Sequence, residues 1–152
     1  MLAPVLFVIK PYMCRAFRAY APLSGTQEYD IANYHTGLRY HVCEATPIVV
    51  ERPLGDRIVM SVEQFNERFV YEKDGLYLPT DRWEDVKCKA VYGIMAQLVP
   101  ADDGPCTIDG LYCNRPEVPH ALGDFIVYKK DAPNVKWVEN GLHFLTVAVP
   151  EK

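Results

Sequence analysis

The feature that most constrains this chain is how often its apolar runs are cut short. Val5–Ile9 forms one run, and residues 13–20 ("MCRAFRAY"), 37–43 ("GLRYHVC") and 46–51 ("TPIVVE") follow. Further along come "DRIVM", "FVYE", "GLYL", a long stretch over residues 86–99, then "DFIVY", "VKWV" and "HFLTVAV". Turn-forming residues separate them at Pro22 to Gly25, Pro53 to Gly55, Asp74-Gly75, Asp102 to Pro105, Asp109-Gly110 and Asn140-Gly141. Short runs rich in β-branched and aromatic residues, closed by Gly, Pro and Asp, read as strands. Asp74-Gly75 between "FVYEK" and "LYLP" marks a hairpin.

Helical signals are sparse. Ser61 with Gln64 has the form of a capping box, in which the serine oxygen takes a helix-start amide and the glutamine answers it. Val62, Phe65 and Phe69 follow on one side at helical spacing. "TDRWEDV" from Thr80 suggests a second short turn of helix, and "GTQEYDIANYHTG" is ambiguous. The fold class expected is mainly β, with α+β as the neighbouring class and one or two short helices.

"LGDRIV" (residues 54–59) returns as "LGDFIV" (residues 122–127), with five of six letters shared. Around the pair, "CRA" at 14–16 answers "CKA" at 88–90, Gly37-Leu38 answers Gly110-Leu111, and "VEQ" at 62–64 answers "VEN" at 138–140. Four anchors in one order suggest internal duplication, with halves 1–74 and 75–152. A β unit of that size buries little by itself. The expected architecture is therefore two related β-rich halves packed into one compact body. On this reading Ile58 and Ile126, and Val59 and Val127, hold equivalent places. Asp56 and Asp124 read as carboxylates bonded to the turns that launch their strands.

The segment with Gly55, Asp56, Ile58, Val59, Phe65 and Phe69 resembles small uncharacterised proteins of bacteriophages and their hosts. In those proteins a Gly-Asp strand motif precedes a short phenylalanine-containing helix. The resemblance covers about 20 residues per half, implies a phage or mobile-element origin, and carries no activity with it.

The chain has 152 residues and a formal net charge of −4, so no basic field draws it to nucleic acid or anionic lipid. No run approaches a membrane span, and "MLAPVLFVIKPY" lacks the basic start and the cleavage pattern of a signal peptide. Five cysteines, an odd and widely spaced set, suggest reduced thiols and a cytoplasmic location.

No G-x-G-x-x-G, Walker or G-x-S-x-G pattern occurs. Cys14, His35, His41, Cys43, Cys88, Cys106, Cys113 and His120 are the candidate metal ligands, but none has zinc spacing, so neither metal nor cofactor is expected. His41 and Cys43 share a strand face about 7 Å apart, too far for a catalytic pair. Arg18, His35, Thr36 and Glu63 can be cast in ADP-ribosyltransferase-like roles, although the diagnostic glutamate motif is missing. No catalytic set assembles, so a non-enzyme is favoured.

Ten tyrosines remain. Tyrosine and arginine supply large contact area with a polar end, which suits interfaces. Arg15, Arg18, Tyr20, Tyr34, His35, Arg39 and Tyr40 form the expected binding patch. The function expected is a non-catalytic binding or inhibitory protein, phage-encoded, acting on a host protein. Its alternatives are a small-molecule or nucleotide binder with a pocket between the halves, and an ADP-ribosyltransferase-like enzyme. A homodimer is compatible with the sequence.

Overall fold

The computed structural model describes residues 2–19, 30–33, 38–42, 45–73, 78–79, 82–116 and 121–151. In chain order the elements are β1 (Val5–Ile9), β2 (Tyr12–Arg18), β3 (Asp30–Asn33), β4 (Leu38–His41), β5 (Ile48–Glu51), β6 (Arg57–Met60), α1 (Val62–Arg68), β7 (Phe69–Val70) and β8 (Glu84–Cys88). Then come β9 (Val91–Pro100), a 3-10 turn at Ala101–Asp103, β10 (Cys106–Ile108), β11 (Leu111–Cys113), β12 (Gly123–Lys129), β13 (Ala132–Asn140), α2 (Gly141–Val147) and β14 (Ala148–Pro150). The protein is mainly β, as its punctuation implies. No helix among the described residues is long and apolar enough to cross a membrane.

The described chain divides into two compact units. One is built within residues 11–89, the other from residues 2–10 and 90–151. The expected boundary at 74/75 therefore falls inside the first unit. The reason is β8, which lies beyond that boundary yet pairs with β2. The single long strand expected over residues 86–99 is broken at Lys89-Ala90, where the chain passes from one sheet to the other.

The unit within 11–89 is a five-stranded antiparallel sheet ordered β6-β5-β2-β8-β7. Helix α1 forms where the capping box announced it: Ser61 Oγ accepts from the Gln64 amide, and Gln64 Oε1 accepts from the Ser61 amide. Its buried Phe65 stacks on Phe69 and packs with Ala16, Ile48, Val50, Met60 and Val86. Burying one such side chain contributes about 1.5–3 kcal/mol.

The unit with residues 90–151 holds a second five-stranded sheet, ordered β13-β12-β9-β1-β14. The sequence reading of its end needs correction. Asn140-Gly141 is a helix start, and "HFLTVAV" is helix before it is strand. Asn140 Oδ1 accepts from the amides of Leu142 and His143, which is the work of an N-cap. His143, Phe144 and Val147 then fall on one buried face. Phe144 meets Phe7 at 5.1 Å and Phe125 at 5.0 Å between ring centroids, making the aromatic centre of this unit.

The two sheets have one topology. In each, a central strand (β2 or β9) runs into a small hairpin (β3–β4 or β10–β11). A second hairpin follows (β5–β6 or β12–β13), then a seven-residue helix and a short strand (β7 or β14). The remaining strand is β8 in the first unit. In the second it is β1, from the opposite end of the sequence.

Matching details follow this assignment. Lys89 N–H donates to the carbonyl of Arg68 at the end of α1, and Lys10 N–H donates to that of Val147 at the end of α2. Ser61 and Asn140 are both N-caps, and Phe65 and Phe144 both accept the helix-closing bond. Lys10 and Lys89, Ser61 and Asn140, and Phe65 and Phe144 are each separated by the same number of residues.

This register overturns the expected one. "DRIV" starts β6, but "GDFIV" lies in β12, whose topological counterpart is β5. Ile58 corresponds to Trp137 and Val59 to Val138, because β6 pairs with β5 as β13 pairs with β12. "CRA" lies in β2 and "CKA" at the end of β8, so these also do not correspond. Of the four anchors, the hairpin around Leu38 and Leu111 keeps its place. The shared letters of "LGDRIV" and "LGDFIV" stand in strands that are not counterparts.

Candidate functional site

The best-built polar cluster lies on one face of the sheet within residues 11–89. Strand pairing sets Arg15 opposite Glu51, and Glu51 opposite Arg57, so three charged residues stand in a row across β2, β5 and β6. Arg15 Nε donates to Glu51 Oε1 at 2.8 Å, with Arg15 Nη2 at 2.7 Å from the same oxygen. Arg57 Nε donates to Glu51 Oε2 at 2.8 Å. Each carboxylate oxygen is thereby taken by a different guanidinium.

Trp83, just before β8, lies against both cations. Its ring centroid is 4.4 Å from Arg15 Cζ and 5.4 Å from Arg57 Cζ. Phe17 meets the ring edge-on at 4.6 Å. Beneath lie Ala19, Val42, Val49 and Val59, an apolar floor that fixes the aromatic pair. Arg15 and Arg57 remain 44% and 37% exposed, while Glu51 is 17% exposed. The Arg15 hydrogen bond, joined by Arg57, holds the Glu51 carboxyl below its ordinary range although partial burial opposes this. The result is a rigid amphipathic patch, with an indole held between two ordered and still accessible guanidinium groups. Cation–π contacts at exposed sites contribute about 0.5–1 kcal/mol each, and act here together with the hydrogen bonds to Glu51 against the rotamer freedom of the two arginines.

The structure treats the expected patch unevenly. Arg15 belongs to the cluster. Arg18, three residues on in the same strand, alternates to the opposite sheet face. Its backbone amide donates to the Pro79 carbonyl. Arg39 and Tyr40 lie in β4, which pairs with β3 near β6, and their side chains are outside the described residues. Tyr20, Tyr34 and His35 also lie outside them. Sequence reasoning missed Phe17, Glu51, Arg57 and Trp83. Only strand register brings Glu51 and Arg57 to Arg15, and none of the three is close to Trp83 along the chain.

Other candidates carry less chemistry. Cys14 is pushed up to about 12 and Cys88 is raised, in both cases first by burial, so these are thiols rather than nucleophilic thiolates at neutral pH. Tyr12 beside them is raised by burial too. Glu63, cast above as a transferase glutamate, is exposed on the first turn of α1. His35, Thr36, Cys43 and His120 lie outside the described residues. Among the described residues no group of three or more His, Cys, Asp or Glu side chains could hold a metal.

Asp56 and Asp124 are both buried, in unlike settings. Asp56 Oδ2 accepts from Arg52 Nε at 2.8 Å within a buried ion pair. Asp124 Oδ2 accepts from the Asn114 amide at 2.8 Å, and Asn114 Oδ1 accepts in return from the Asp124 amide at 2.9 Å. They sit in different sheets, each beside its own polar partner, and do not form a catalytic dyad.

Comparison with protein-family models, with curated proteins and with solved structures finds no match to this chain.

Proposed function

We propose that this is a non-catalytic binding protein that engages another protein through the Trp83 face. The observation that carries this reading is the pre-ordered Trp83–Arg15–Arg57 cluster held by Glu51. Tryptophan and arginine dominate interface hot spots because each buries a large flat surface and still satisfies polar atoms at its rim. Ordering them in the free protein lowers the entropy lost on association. Exposed Met13 on the same strand face extends the apolar part of the patch. The finer expectation, a phage-encoded inhibitor acting on a host protein, rests on the resemblance of the Gly55-to-Phe69 segment.

The test is affinity capture with the full chain against bacterial lysate, in parallel with Trp83→Ala and Arg57→Glu. A protein retained by the parent and lost from both variants, with the variants' circular dichroism unchanged, is the expected result. Capture of the same proteins by all three chains would remove the Trp83 face from recognition. Retention of a small molecule in place of a protein would overturn the reading itself.

A further inference from the structure

The hairpin β10–β11 closes through Asp109 and Gly110, both at positive φ (51° and 78°). That two-residue turn matches the natural twist of paired strands and fixes their register. The register sets Cys106 directly opposite Cys113. Two steps from a two-residue turn this is a hydrogen-bonded pair, with Cα atoms about 5.5 Å apart and side chains on one face. A disulfide requires about 4.4–6.8 Å. Both cysteines are free thiols, Cys106 half-buried and Cys113 buried, packed with Val99 and Ile126.

We propose that Cys106 and Cys113 are a redox-modification site, oxidised to a cross-strand disulfide by low-molecular-weight disulfides of the glutathione class. The Cys106 thiolate attacks one sulfur of the reagent, giving a mixed disulfide and releasing one thiolate, which takes up the Cys106 proton. Cys113 then loses its proton and attacks the Cys106 sulfur, and the second reagent thiol leaves with that proton. Two protein thiols and one disulfide become one protein disulfide and two small thiols. The protein is oxidised by two electrons and the reagent is reduced by two. Burial first, then the nearby Asp124, pushes the Cys113 thiol up to about 11, which suits it to the second step rather than the first.

The consequence reaches beyond the hairpin. Cys113 is followed by Asn114, which holds positive φ (56°) and donates its side-chain amide to the carbonyls of Val99, Pro100 and Gly104. Asn114 also exchanges hydrogen bonds with Asp124 in β12. A covalent tie one residue away restrains this clamp. The other described cysteine pair supplies an internal control. Cys14 faces Val86, and Cys88 faces Tyr12, across β2 and β8. Their relation is diagonal, about 7–8 Å between Cα atoms, beyond disulfide reach.

The folded full chain is equilibrated in buffers of reduced and oxidised glutathione, free thiols are alkylated, and peptides are mapped by mass. The expected result is loss of two hydrogens between Cys106 and Cys113, while Cys14 and Cys88 stay alkylated. Cys106→Ser abolishes the change. Amide exchange at Asn114 slows severalfold on oxidation and recovers with reductant. Alkylation of both Cys106 and Cys113 across the whole series overturns the proposal, as does a lasting mixed disulfide on Cys106 that Cys113 does not displace. Unchanged exchange at Asn114 overturns the link to the clamp.

Discussion

"LGDRIV" and "LGDFIV" share five letters and almost nothing else. Gly55 sits at positive φ (92°) in an open turn, where an added Cβ would meet no heavy atom within 4 Å. Gly123 also has positive φ (108°), but a Cβ there would strike the Val99 carbonyl oxygen and lie 2.7 Å from the Ala101 nitrogen. The first glycine is needed for its backbone angle alone, the second for angle and absence of bulk. The aspartates diverge in the same way. Asp56 answers a buried guanidinium, whereas Asp124 answers the backbone and side-chain amides around Asn114. A short motif specifies a turn and a strand. The sheet around it decides what each residue does.

Substitution separates the two copies most sharply at the glycines. Gly123→Ala should cost more than about 4 kcal/mol by chemical denaturation, because backbone atoms must move. Gly55→Ala should cost only about 1–2 kcal/mol, the penalty of the left-handed region. Equal losses would show that the close approach at Gly123 relaxes freely.

The carboxylates come next. Asp56→Ala breaks the buried ion pair with Arg52 by removing one charge and should cost about 3–5 kcal/mol. Asn114→Ala removes the donor to the carbonyls of Val99, Pro100 and Gly104 and the acceptor of the Asp124 amide, and should cost about 2–3 kcal/mol in the same denaturant series. The reverse order would mean that the amide clamp, not the ion pair, is the costlier network to break.

The helices test the topological equivalence. Ser61→Ala and Asn140→Ala should each lower stability by about 1 kcal/mol, because both side chains take helix-start amides. A clear effect at only one site would separate the two caps. The helices differ on their outer faces. α1 presents Glu63, Gln64, Asn66 and Glu67, while the matching turns of α2 expose Leu142 and Leu145. Leu142→Glu should change stability by no more than about 0.5 kcal/mol in the denaturant series, since the side chain is exposed.

Acid titration probes the Trp83 face through Glu51. The folded Glu51 carboxyl lies below its ordinary value, so the stability it contributes is present above that ordinary value, about 4.3. It is lost as pH falls through the folded, lower value. Tryptophan fluorescence of a Trp137→Phe background, which leaves Trp83 as the reporter, should therefore change below about pH 4.3. Glu51→Gln should remove that step.

Strand-rich architecture and helix α1 are legible in the sequence because their causes are local. Pro, Gly and Asp close short β-branched runs, and Ser61 with Gln64 writes both halves of a capping box within four residues. Helix α2 hides behind Asn140-Gly141, a pair that serves a turn or an N-cap equally well. The choice falls to helix because His143, Phe144 and Val147 find a buried face in the second unit. The shared strand order of the two sheets hides for a related reason. Topology and helix caps recur while the letters differ, Ser61 against Asn140 and Ile58 against Trp137, since packing tolerates any residues that preserve the pattern.

By itself, then, the sequence determined period, punctuation and one helix start, all consequences of interactions within a few residues. Tertiary structure alone decided that β1 joins the sheet of residues 90–151, and that β8 lies between β2 and β7 in the sheet within residues 11–89. It also placed Arg15, Glu51, Arg57 and Trp83 in one cluster. These outcomes depend on which strands become neighbours, and pairing between distant strands is set by competition over the whole chain rather than by any local signal.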